Sequence, residues 1–218
     1  MSYLAGPSRQ PRSGVTESVV ILLHGYGADG EDLIGIGDAL ADHMPNTLFM
    51  APDAPEPCSI NPMGRQWFPI PWMDGSTEAQ MAESFDRSVR LLHAYLDSVA
   101  EETGVPAAQT ALIGFSQGTM MALHVGLRRP EQLAGIVGFS GRLLAPERLP
   151  AELASRPPVL LVHGDMDEVV PPSSLDEARE ALADAGVPVA THVSRGMGHG
   201  IAPDGLGLAL RFLQERLG

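Results

Sequence analysis

Gly114-Phe115-Ser116-Gln117-Gly118 sets a serine between two glycines where an apolar run, Thr110-Ala111-Leu112-Ile113, gives way to a buried helical pattern from Thr119 to Leu127. A strand that turns at once into a helix forces the residue at the apex into a strained backbone. Glycines two positions before and after it remove side chains that would collide. The serine hydroxyl is then held at the carboxyl edge of a sheet, over the positive end of a helix, which suits a nucleophile. The pattern alone is a weak signal in a chain with 24 glycines, so its flanks carry the reading. Gly138-Phe139-Ser140-Gly141-Arg142 also follows an apolar run but has arginine where the second glycine would stand, and Ser140 reads as a strand end.

A serine hydroxyl needs a general base, and the base needs an acid to orient it. For this kind of elbow the expected chain order is serine, acid, histidine, which leaves His192 and His199 as bases. His192 lies inside a strand pattern, where a structural role is expected. His199 stands in Gly196-Met197-Gly198-His199-Gly200, a loop from which an imidazole reaches the sheet edge. The acid is sought in His163-Gly164-Asp165-Met166-Asp167-Glu168-Val169-Val170-Pro171, just past another apolar run. Spacing does not choose between Asp165 and Asp167. Asp165, after Gly164, suits a turn-stabilising role, and Asp167 has the better reach toward a neighbouring loop. An oxyanion needs two donors, for which the N–H of Gln117 and the N–H of Tyr26, in His24-Gly25-Tyr26-Gly27, are the candidates. His24, ahead of the serine and on a strand end, is expected to be structural, as is Cys58 among Pro55, Pro57 and Pro62.

These residues must be positioned by a frame, and the pattern supplies one. Apolar strands are expected at Ser18–Leu23, Thr47–Ala51, Thr110–Ile113, Gly135–Phe139, Val159–Val162 and Val189–Val193. Helices are expected between them: one through Leu33, Ile36, Leu40 and Met44; one from Ser76 to a stop at Gly104; one opened by a Ser174/Glu177 capping box and stopped at Gly186; and one closing helix through Leu206, Leu210, Leu213 and Leu217. Apolar strands alternating with helices predict an α/β fold with a mostly parallel sheet covered on both faces, function collecting at the strands' carboxyl ends. The expectation is one domain over residues 1–218 without a large lid, its first 17 residues loosely structured.

Hydrophobic content of 44% and a net charge of -13 describe a globular chain that disfavours nucleic acid and anionic membrane surfaces as partners. No apolar run is long enough to span a bilayer, so no stable membrane insertion is expected. The N-terminus lacks the apolar block of a signal peptide, and a single cysteine fits a reducing compartment, so the expected location is cytoplasmic.

Taken in order, Leu22-Leu23-His24-Gly25-Tyr26-Gly27, the elbow, the His163–Pro171 segment and Gly198-His199 resemble the phospholipase/carboxylesterase family of α/β-hydrolases, which includes acyl-protein thioesterases. The resemblance spans nearly the whole chain. It implies an α/β-hydrolase fold with Ser116, Asp167 and His199 as the catalytic set, choosing Asp167 over Asp165, and with Tyr26 and Gln117 as oxyanion donors. It also implies that the loop from Met63 to Asp74 helps wall the acyl site, with Trp67 and Phe68 either covering core or touching substrate, and that Val170 lies near the acyl pocket. No metal or organic cofactor is implied, and homodimerisation is compatible with the family. The expected activity is a serine carboxylesterase acting on small acyl or aryl esters through an acyl-enzyme. The rivals are a thioesterase or lysophospholipase for long acyl chains, separable by a chain-length series, and a non-catalytic binding receptor, separable by fluorophosphonate labelling.

Overall fold

The computed structural model describes residues 4–218. Its frame is a seven-stranded sheet in the order β1-β3-β2-β6-β7-β8-β9. The strands are β1 (Ser8–Arg9), β2 (Ser18–Leu23), β3 (Thr47–Met50), β6 (Thr110–Phe115), β7 (Gly135–Phe139), β8 (Val159–Gly164) and β9 (Val189–Ser194). All neighbouring pairs are parallel except β1 with β3. A separate two-stranded ribbon, β4 (Glu56–Pro57) with β5 (Arg65–Gln66), lies in the long loop after β3.

The central strands β2, β6, β7 and β8 read as largely apolar runs because both sheet faces are covered there, and strict alternation sends successive side chains into two cores. Val19, Ile21 and Leu23 of β2 join Leu112, Ile136 and Leu161 on one face, under α3 (Glu78–Thr103), α4 (Gln117–Gly126) and α6 (Ser173–Asp184). Val20, Leu22, Ala111, Ile113 and Val162 point the other way, against α1 (Gly30–Leu40) and α7 (Pro203–Leu217). Shortening one of these buried leucines to alanine removes apolar contact and leaves a void, a loss of about 2–5 kcal/mol. Two four-residue helices, α2 (Pro71–Asp74) and α5 (Leu149–Glu152), complete the chain, and no helix among the described residues is long and apolar enough to cross a membrane.

Helix limits obey local chemistry. Asp29 caps α1 and Thr77 caps α3, each in a reciprocal capping box, with Asp32 and Gln80. Gly104, at φ 70°, ends α3 in the left-handed conformation. The box expected at Ser174/Glu177 does not form. Pro172, with its φ preset to -56°, starts α6 at Ser173 and leaves Ser174 buried inside the first turn. The first segment also differs from expectation over residues 4–9. Leu4 is buried, Ser8 and Arg9 pair with Met50 and Phe49, and Ala51 N–H donates to the Pro7 carbonyl at 2.9 Å. Residues 1–3, part of the segment expected to be loose, lie outside the described residues.

From β2 the chain steps to β3 on one side and later returns to β6 on the other, so the direction of winding reverses between β2 and β6. Such a reversal opens a crevice at the strands' carboxyl ends, where the loops after β2, β6, β8 and β9 converge.

Candidate active site

Ser116 sits at that crevice with φ 52° and ψ -115°, in a conformation rarely adopted by a residue with a side chain. Close packing holds it there. A Cβ on Gly114 would overlap the backbone at Gly118 and Thr119, and one on Gly118 would overlap the Leu23 carbonyl. Ser116 N–H donates to the Phe139 carbonyl at 2.9 Å, and the Thr119 hydroxyl faces the Gly114 and Phe139 carbonyls at 2.8 Å each. Ser116 occupies the N-cap of α4, yet its side chain makes no capping bond, which leaves the hydroxyl uncommitted.

His199 Nδ1 lies 2.8 Å from Asp167 Oδ2, and the other Asp167 oxygen accepts the N–H groups of Val169 and Val170 at 2.9 Å each. Burial pushes the Asp167 carboxyl up, but the hydrogen bonds from His199, Val170 and Val169 outweigh it and hold the group below the usual carboxylate range. His163 Nε2 faces the Val170 carbonyl at 3.0 Å and Asp167 Oδ2 at 3.3 Å, bracing the acid from beneath. Asp165 turns away. Its Oδ1 accepts Gly196 N–H at 2.6 Å, and Met166 N–H donates to Met197 O at 2.9 Å, so the acid loop ties down the histidine loop. The His199 ring packs on Phe115 at 5.0 Å between centroids. Ser116 and His199 line one cavity with no direct hydrogen bond between them, an arrangement that catalytic pairs in unliganded enzymes commonly show.

Tyr26 and Gln117 line the same cavity, and among the described residues neither backbone N–H donates within the protein. His24 fixes the loop that carries Tyr26. Its Nε2 accepts Ala54 N–H at 2.9 Å, so its Nδ1–H donates to the Gly25 carbonyl at 2.8 Å, and burial keeps the ring neutral by pushing its pKa down. The Tyr26 hydroxyl donates to Asp74 Oδ2 at 2.9 Å, which latches this loop to α2; burial and that bond push the phenol pKa up. The Gln117 side chain has a second task. Its Oε1 accepts Trp67 N–H and its Nε2 donates to the Phe68 carbonyl, both at 2.8 Å.

The cavity, of about 400 Å³, has an apolar wall that includes Phe68, Ile70, Met81, Met120 and Val170, with Trp72 at its mouth. Phe68 and Val170 therefore line the cavity that Ser116 and His199 share. Trp67 does not, and its expected substrate contact is corrected. It is wholly buried, its indole N–H donates to the His24 carbonyl at 3.0 Å, and it lies beneath the wall. Trp72 of the same loop is 78% exposed. His192 pairs with Asp204 at 2.7 Å outside the cavity. No three His, Cys, Asp or Glu side chains among the described residues are grouped to hold a metal ion.

Three features escaped the sequence reading. The Gln117 clamp joins positions 50 residues apart, and no local pattern encodes it. His163 was legible only as the residue four places before Asp167. Trp72 resembles Trp67 in type and neighbourhood, and only the packing separates them.

A mostly parallel sheet with a strained serine at its winding reversal, sharing a cavity with a histidine backed by a buried aspartate, defines the α/β-hydrolase class. Residues 9–217 match the phospholipase/carboxylesterase family model, and the chain belongs to that family of hydrolases. It is similar to the Esterase YpfH of Escherichia coli K12, at 31% identity over 91% of this chain and 82% of that one. It is also similar to an acyl-protein thioesterase 1 of Gibberella zeae, at 29% over 95% and 94%. The crystal structure of esterase PE8 superposes with a TM-score of 0.94 at 46% identity, covering 99% of this chain and 100% of that one.

Proposed function

We propose that the protein is a serine carboxylesterase that hydrolyses small acyl or aryl esters through an acyl-enzyme. The observation that carries this is the meeting of Ser116, His199 and the unengaged Tyr26 and Gln117 N–H groups on one apolar cavity, with Asp167 behind the imidazole at 2.8 Å. His199 Nε2 takes the Ser116 proton as Oγ attacks the ester carbonyl, and the two N–H groups hold the oxyanion. Asp167, kept ionised, stabilises the imidazolium, which then gives its proton to the leaving alcohol. Water, deprotonated by the same ring, attacks the acyl-serine; the Oγ–acyl bond breaks, the acid is released, and the imidazolium returns its proton to Ser116 Oγ. Replacing Ser116 by alanine abolishes hydrolysis of a chromogenic short-chain ester and labelling by a fluorophosphonate. Activity or labelling that survives would sink the assignment.

The apolar wall continues to exposed Trp72, and a thioesterase is among the similar proteins, so a second reading is cleavage of longer acyl chains. A chain-length series separates the two: kcat/KM falls beyond short acyl groups under the first reading and rises under the second. The composition and single cysteine support a cytoplasmic enzyme, tested by fractionation. The family resemblance extends to a homodimer, tested by sedimentation.

A further inference from the structure

The near-copy of the elbow after β7 has no part in the acyl-transfer steps, yet its serine also has a positive φ. Ser140 has φ 47°, a departure that persists only where its surroundings impose it. They do so here. Ser140 N–H donates to the Val162 carbonyl at 2.9 Å, and its hydroxyl donates to the Gly200 carbonyl, in the His199 loop, at 3.3 Å. Gly141 is pressed onto the elbow, where a Cβ would overlap the Thr119 side chain and stand 2.9 Å from the Ser116 carbonyl. The consequence of this forced path is that the next residue, Arg142, forms part of the cavity wall that holds Ser116 and His199.

Arg142 is unlike most cations of this protein. The chain has no lysine, and its arginines are largely engaged: Arg9 with Asp38, Arg87 with Glu56, Arg128 with Glu152, Arg129 with Asp97, Arg195 with Asp165. Among the described residues the Arg142 guanidinium has no carboxylate or carbonyl partner. The one carboxylate on the cavity wall, Glu78 at the start of α3, forms no ion pair with it. In a chain of net charge -13, which repels anions at long range, an unpaired arginine on the cavity wall shared with Ser116 is a local exception to the overall field.

We propose that Arg142 is a specificity-determining residue that favours esters carrying a second, ionised carboxylate, such as monoesters of dicarboxylic acids. The proposal rests on the serine esterase reading and deepens it by naming a substrate class. A guanidinium receives a carboxylate through two parallel N–H···O bonds, and at a site open to solvent the selectivity is about tenfold. Because the contact is made away from the reacting carbonyl, it acts mainly on KM.

The test uses three ethyl esters of equal acyl length: ethyl caproate, monoethyl adipate and ethyl ε-aminocaproate, which are neutral, anionic and cationic near neutral pH. The wild type prefers the adipate and disfavours the amine. Arg142→Gln lowers the adipate-to-caproate ratio of kcat/KM about tenfold, Arg142→Lys retains part of it, and Arg142→Glu reverses the order of the charged pair. A ratio unchanged in Arg142→Gln overturns the proposal, as does an equal loss on all three esters, which would mark a structural role. The esterase reading fails separately: either hydrolysis survives Ser116→Ala, or the wild type cleaves none of the three.

Discussion

Two serines stand side by side at the carboxyl ends of paired strands, each preceded by Gly-Phe, with Phe115 opposite Phe139 in the register. Both have positive φ, 52° at Ser116 and 47° at Ser140. A positive φ alone therefore does not single out the proposed nucleophile. The next stretch of chain decides it. After Ser116 the chain enters α4, which places a helix N-terminus under the hydroxyl and leaves that hydroxyl without a partner. After Ser140 comes Gly141-Arg142 with no helix, and the hydroxyl is spent on the Gly200 carbonyl. The largest expected effect tests this contrast directly. Ser116→Ala lowers kcat by at least about 10⁴-fold, whereas Ser140→Ala lowers it less than about tenfold by loosening the His199 loop. Comparable losses from the two variants in steady-state kinetics would erase the distinction.

A second pair of near-equivalents sharpens the same lesson. Asp165 and Asp167 flank one residue, and one carboxylate faces the imidazole while the other accepts Gly196 N–H. Asp167→Asn leaves an amide opposite His199 Nδ1, favours the wrong tautomer, and lowers kcat by about 10³–10⁴-fold. Asp165→Asn keeps an oxygen for Gly196 and costs less than about tenfold. Single-turnover rates on an activated ester measure both. If the two losses were interchanged, the acid would be the other residue.

The fold was legible because its central strands are apolar on both faces and its helices are punctuated by glycine and proline, signals that lie within a few residues of the features they set. The catalytic candidates were legible for the same reason, each standing at a strand end that a local pattern marks. The illegible part depends on contacts between distant residues. Trp67 and Trp72 share a loop, and only the Gln117 clamp and the His24 carbonyl decide that the first is core and the second is rim. Trp67→Ala should destabilise the protein by about 3–5 kcal/mol in denaturant unfolding. Trp72→Ala should change stability by less than about 1 kcal/mol and act instead on KM for substrates with larger acyl groups. The reverse pattern would place Trp67 in the site.

The helix that separates Ser116 from Ser140 carries a pH-sensitive weakness of its own. His124, in the last turn of α4, is 8% exposed, packs edge-on against Phe85 at 4.7 Å, and has a buried Nδ1 without a hydrogen-bond partner. Burial, reinforced by the positive Arg128, pushes its pKa down to about 4, overriding the pull of Glu152 and of the helix carboxyl end toward the charged form. The unfolded chain takes up a proton near the ordinary histidine value while the folded chain resists until about 4. Stability is therefore full above about pH 6.5 and declines as the pH falls toward 4, by at most about 3 kcal/mol. Asp167, held below the carboxylate range, contributes its own loss only at more acid pH, so the two windows are distinct. His124→Leu removes the titrating group, and its Tm relative to wild type should rise steadily between pH 7 and 4.5. A difference independent of pH would mean that folding does not perturb the ionisation of His124.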